Sequence, residues 1–231
     1  MNSSLSFGQN AAMNTSRSTI VQLCALLLFA SMSIPDNSLG AEGQPGSVKV
    51  QGILGQAQLL KVDGGTVPLG PGMVLRAGDV IQSSKGSAVD LHLGETPGTL
   101  RLTENTTVVL DKLTAGTAGT AGSFDVELSV RAGEVLGLAK AVPQGSRFEI
   151  KVANGIAQIL EGRFRIDAQA RCVLVEGKVL LAHVPQAGEP SAHALQAPPA
   201  VFFAPGLGVQ PAPKDLAREI VNQMRSKLPR R

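Results

Sequence analysis

Apolar and polar residues alternate along most of this chain. In Phe124-Asp125-Val126-Glu127-Leu128-Ser129-Val130, four apolar residues share one side and the polar residues take the other, the period of two shown by a half-buried strand. Val89-Asp90-Leu91-His92-Leu93, Leu100-Arg101-Leu102, residues 106–110, Phe148-Glu149-Ile150-Lys151-Val152 and Phe164-Arg165-Ile166 repeat the pattern. Turn-forming residues punctuate it at Asp63-Gly64-Gly65, Gly70-Pro71-Gly72, Ala77-Gly78-Asp79, Asn154-Gly155 and Glu176-Gly177. The rhythm predicts an all-β body of about a dozen short strands, arranged as a sandwich or a solenoid-like β-roll. Asn154-Gly155 predicts a hairpin between 148–152 and 156–160. Glu176-Gly177-Lys178 predicts a second turn, between strands at 172–175 and 179–184.

Three stretches break the rhythm. Residues 114–122 repeat a Thr-Ala-Gly triplet; with no side chain large enough to pack, they predict a flexible hairpin tip. They lack the lysine and the strand-to-helix setting of a phosphate loop. Pro198, Pro199, Pro205, Pro211 and Pro213 mark 198–213 as an extended connector. After it, Leu216, Ile220, Met224 and Leu228 recur every fourth residue, which predicts an amphipathic helix over 214–231 with a basic outer face. Its apolar stripe packs on the β body in the plainer reading. In the sharper one it docks on a partner or an anionic membrane surface.

At the start, Arg17 precedes an apolar run over 20–32 that only Gln22 and Ser31 interrupt. This is shorter than the roughly 20 residues of a membrane span. Small residues follow in Ser38-Leu39-Gly40, so 1–40 reads as a signal peptide cut near Gly40/Ala41, with the β-domain over 41–197. Met13 would give a leader of ordinary length; an uncleaved anchor is the alternative. Cys24 lies inside the run, which is the wrong place for a lipidated cysteine. The expected location is the periplasm or the outside of the cell.

Charge and composition narrow the function. The net charge is +3, but the segment from Lys214 onward holds six basic residues and two acidic ones, so the body is close to neutral. A basic tail is not a nucleic-acid-binding face. Removing the leader leaves Cys172 as the single cysteine, in an apolar segment, which predicts a buried inert thiol and no internal disulfide. There is no Trp and no Tyr, so stacking platforms for sugars or unpaired bases are missing. His92, His183 and His193 are far apart, without metal-ligand spacing, and read as exposed strand positions. No Gly-x-Ser-x-Gly nucleophile motif occurs in the mature chain. Asp79, Asp90, Glu161, Asp167 and Glu176 could converge for glycoside chemistry, but in a half-buried sheet such residues line the solvated face. The expectation is a protein with no catalytic residue, no cofactor and no metal.

The order of the short motifs resembles the FecR domain family over about residues 48–184. Leu75-Arg76-Ala77-Gly78-Asp79-Val80-Ile81-Gln82-Ser83, then Gly86-Ser87-Ala88-Val89-Asp90-Leu91, is similar to the family's entry segment. Leu102-Thr103-Glu104-Asn105-Thr106 with Leu110, Gly133-Glu134-Val135-Leu136-Gly137 and Ser146-Arg147-Phe148-Glu149-Ile150-Lys151-Val152 follow in the family's order. The hallmark Arg-Gly-Thr-x-Phe is altered to Glu161-Gly162-Arg163-Phe164, with the phenylalanine one residue closer to the glycine and Arg165 before Ile166. Val173-Leu174-Val175-Glu176-Gly177-Lys178-Val179 resembles the closing strands. The resemblance implies an extracytoplasmic β-domain that works by protein contact, with an envelope protein as partner. Gly162 and Phe164 keep the turn and core character of the hallmark, whereas Glu161 and Arg163 depart from it. The family's namesakes regulate a sigma factor through a cytoplasmic N-terminal domain, for which the roughly 19 residues before the apolar run are too few. The expected function is therefore a protein-binding or scaffolding module. An envelope-signalling component acting on a sigma factor and a carbohydrate- or ligand-binding β-domain are the alternatives.

Overall fold

The computed structural model describes residues 44–93, 98–115 and 123–226. The leader 1–40 and its proposed cleavage point lie outside them, as do most of the Thr-Ala-Gly repeat and residues 227–231 of the predicted helix. The body is all-β with one C-terminal helix. In chain order the strands are β1 (Gln44–Pro45), β2 (Val48–Leu54), β3 (Ala57–Leu60), β4 (Thr66–Pro68), β5 (Val74–Leu75), β6 (Val80–Ser83), β7 (Ala88–His92), β8 (Gly98–Leu102) and β9 (Thr107–Ala115). They continue with β10 (Phe124–Ala132), β11 (Glu134–Ala139), β12 (Arg147–Val152), β13 (Gly155–Asp167), β14 (Cys172–His183), β15 (Ser191–Ala197), β16 (Val201–Ala204) and β17 (Gly208–Pro211). The helix α1 spans Lys214–Arg225.

The pairings form two ladders that share β13 and β14. One ladder runs β5–β2–β7–β8–β11, then through the C-terminal half of β13 and the N-terminal half of β14 to β16–β17. The other runs β4–β3–β6–β9–β10–β12, then through the opposite halves of β13 and β14 to β15, with β1 beside β9. All neighbours are antiparallel except β10 and β12. The chain shuttles between the two ladders, so the architecture joins the facing layers of a sandwich to the wrapping of a roll.

One core fills the space between them, because alternate residues of every long strand point inward. Val50, Leu91 and Leu100 from the first ladder and Ile81, Leu110, Leu128 and Ile150 from the second belong to a single buried cluster. Phe164 belongs to it, fully buried, edge-on to Phe148 with ring centroids 6.4 Å apart. Its ring lies over Gly137, where a Cβ would come within 2.0 Å of it. The missing side chain of Gly137 is thus the space that Phe164 occupies.

Several sequence expectations change here. The structure has seventeen strands among the described residues, against about a dozen expected. The extra ones are short pieces such as β4 and β5, too brief to show a period. Glu176-Gly177-Lys178 is not a turn: 172–183 is one strand. The glycine there serves a bend, with Gly177 opposite Gly162 in register. Both have positive φ, +101° and +117°, a region open mainly to glycine. A Cβ on Gly162 would fall 1.9 Å from the Glu176 carbonyl oxygen, and one on Gly177 would fall 2.2 Å from that of Glu161. The two long strands cross from one ladder to the other at this pair. The hairpin after β12 exists, but its turn is Ala153-Asn154, one residue early, and Gly155 already pairs in the sheet. The proline-rich 198–213 carries β16 and β17 rather than a bare connector. Its prolines fall at element ends or between strands, where no ladder N–H is needed.

Candidate protein-binding edge

Glu161, Gly162, Arg163 and Phe164 lie where β13 crosses between the two ladders. Glu161, Gly162 and Arg163 on β13 face Lys178, Gly177 and Glu176 on β14 in three successive pairs. Glu161 meets Lys178 at 3.7 Å and Arg163 meets Glu176 at 3.3 Å, so opposite charges flank the glycine pair on both sides. Three of these four side chains are well exposed, and such pairs contribute about 1 kcal/mol or less. Glu161 and Arg163 are therefore complementary in charge to β14, and Phe164 fills the core.

The carboxylates that sequence reasoning left free to converge are engaged one by one. Asp79 accepts from the amides of Val62 and Arg76 at 3.3 and 2.9 Å. Asp167 pairs with Arg171 at 2.5 Å. Asp90 forms a bidentate pair with Arg101, at 2.6 and 2.8 Å. Among the described residues no group of three His, Cys, Asp or Glu is placed to hold a metal ion. His183 is buried edge-on to Phe203 at 6.0 Å, and His193 contacts the same ring at 4.8 Å with the planes tilted by 44°. The exposed-position reading thus fails for His183, because its strand turns that position inward. Cys172 is buried, and burial first, with the charge of Asp167 second, pushes its thiol up to about 12.

Sequence reasoning missed a contact that fixes α1. Ile220 packs fully buried on Leu136 and Val173, whose side chains point out of the first ladder, away from the main core. At the other end of the helix, Arg101 on β8 donates to the carbonyl oxygens of Gln223 and Ser226 and to Ser226 Oγ. A cation there complements the negative end of the helix dipole and adds a donor to its last carbonyls. The apolar stripe of α1 is therefore spent on its own domain.

Among the described residues the outer side of the second ladder has no such cover. Its β9–β10–β12 part is a lattice of paired charges: Lys112 with Asp125 and Lys151 with Glu127, each at 2.5 Å, and Arg147 with Glu149 at 3.7 Å. The hydrogen bond that Lys151 donates to Glu127 is the first cause holding its ammonium above the ordinary value. Toward β15 the rows become neutral. One cross-strand row runs Lys151, Ile156, Ala182, Ala192; the next runs Glu149, Gln158, Leu180, Ala194. Ile156 and Leu180 are 41 % and 43 % exposed. A groove of about 470 Å³ lies over these rows, lined by Ile156, Leu180, Ala182, Ala192 and Ala194 among others.

The four outer strands of the two ladders differ in their protection. Open edges invite pairing by another chain, and short length, proline or charge blunts them. At one end β4 has three residues, including Pro68, and β5 has two. At the other end β17 has four and closes on Pro211. In contrast, β15 has seven residues, Ser191–Ala197, with neither proline nor charge. It is paired with β14 along its whole length, and no strand is paired to its far side among the described residues.

No family model and no curated protein matches the chain. Two crystal structures of proteins from Parabacteroides distasonis, each named "putative anti-sigma factor", are similar in structure. One is 16 % identical with a TM-score of 0.42, over 64 % of this chain and 65 % of its own. The other is 15 % identical with a TM-score of 0.34, over 78 % of this chain and 64 % of its own. The chain thus spans somewhat less than two thirds of each of those structures.

Proposed function

We propose that this chain is an exported, FecR-like, non-enzymatic module of the bacterial envelope that binds another protein by adding one of its extended segments to β15. The observation that carries this reading is the unguarded seven-residue edge, in a molecule whose other outer strands are short or end in proline. A strand docked there gains main-chain hydrogen bonds for affinity and side-chain contacts for selectivity. The leader pattern over 1–40 and the order of FecR-like motifs support the envelope setting.

The test is a crosslinking pull-down from envelope extract, with the wild-type chain and Ala194→Asp as baits. Ala194 is exposed, so aspartate there leaves the core intact while placing a charge on the edge. The reading requires a specific partner that wild type retains and the variant loses. A partner held equally by both baits would remove β15 from the account. Fractionation with mass analysis tests export: the expected product is a processed chain starting near Ala41.

A further inference from the structure

The shape of the groove beside β15 specifies the kind of segment that enters it. This inference rests on the strand-addition reading above and adds the chemistry of the partner. On the outer side β15 presents Ala192 and Ala194, and the strand behind it presents Ala182 and Leu180 in the same rows. Ile156 follows one strand further in. Side chains in these rows shrink toward the edge, which leaves a trough over the alanines with larger apolar walls behind it. An added strand lies about 4.8 Å beyond β15, hence about 10 Å from β14. A large side chain on it can lean across an alanine and meet Leu180, whereas a small one leaves the trough unfilled.

Charge sets the second requirement. The charged side chains around these rows already pair with one another: Lys178 on β14, opposite Gln196, with Glu161, and on β10 and β12 Lys151 with Glu127 and Glu149 with Arg147. A charged residue on the incoming strand would lose water over Ala192 or Ala194 and gain no ion pair in return. We infer that the partner contributes an uncharged extended segment with bulky apolar side chains at alternate positions, two of them seated over Ala192 and Ala194. A second copy of this chain fits poorly, since its own β15 would bring only Ala192, Ala194 and Gln196 to that side.

Fluorescence anisotropy with the purified chain and labelled, end-blocked decapeptides tests this. The peptides alternate threonine with leucine, alanine or glutamate. The leucine peptide is expected to bind at least tenfold more tightly than the alanine peptide, with no binding by the glutamate one and loss of leucine-peptide binding in Ala194→Asp. Equal binding of leucine and alanine peptides overturns the inference, as does leucine-peptide binding that survives Ala194→Asp. Sedimentation showing a dimer that Ala194→Asp dissolves would assign the edge to a second copy and overturn it as well. If no peptide binds while the pull-down partner is still lost in Ala194→Asp, the segment chemistry is wrong and the strand-addition reading stands. If that partner is also insensitive to the variant, both fall.

Discussion

Arg101 carries two tasks with one side chain. It neutralises Asp90 within the first ladder and ties down the last turn of α1. Arg101→Met keeps the stem and removes both functions, leaving a largely buried carboxylate without a cation. The expected loss is about 3 kcal/mol in urea unfolding, against less than about 1 kcal/mol for Glu161→Gln at the exposed pair with Lys178. Cys172 makes a separate prediction. With its thiol pushed up to about 12 from an ordinary 9.0, it should resist a thiol-reactive disulfide reagent at pH 8 until denaturant is added. The sign of the pH effect follows from the raised value. Folded and unfolded chains hold the proton alike below pH 9.0; above it only the unfolded chain releases it, so stability falls as pH climbs toward 12. The inward positions of strands such as β10 are readable from alternation alone. The role of Arg101 is not, because its helix partners lie 122 and 125 residues away in sequence.

Periodicity located most of the strands, and turn chemistry explains where it misled. Glycine after glutamate at Gly177 has the same appearance whether the chain reverses or only bends, and only the opposing Gly162 separates the two cases. The helix was legible in its stripe, and the stripe meets Leu136 and Val173 as an amphipathic face should. Ile220→Ala is expected to lower stability by about 2–3 kcal/mol and to increase amide exchange throughout α1, with little change in β9 or β10. Exchange that rises equally in the second ladder would show the helix to be part of the main core instead. The open edge β15 escaped sequence reasoning because Ser191 to Ala197 is alanine-rich and only weakly alternating, and because being outermost is a property of the pairing order.

Both ladders close on one buried cluster, and two strands belong to both. Residues 44–226 should therefore unfold in a single transition, with fluorescence-independent probes such as far-UV circular dichroism and amide exchange giving the same midpoint. Two separated transitions would mean that the ladders are independent. Many neighbours in the sheet are remote in sequence, as with β2 and β7 or β8 and β11, so folding should take milliseconds to seconds. The fold class was accessible from the sequence because a period of two depends on local pattern. The choice of which ladder each strand joins was not, since it is fixed by pairings between distant segments.

The meeting of Gly162 and Gly177 has a consequence for how this molecule can vary. The obstacle to a side chain at either position is the main chain of the opposite strand, which every amino acid shares. Trimming a neighbouring residue therefore makes no room, and no second substitution elsewhere can compensate for the first. Variants of this architecture are free to exchange the charges on either side of the crossing, as Glu161 with Lys178 and Arg163 with Glu176 illustrate, but the crossing itself admits a single amino acid on each strand.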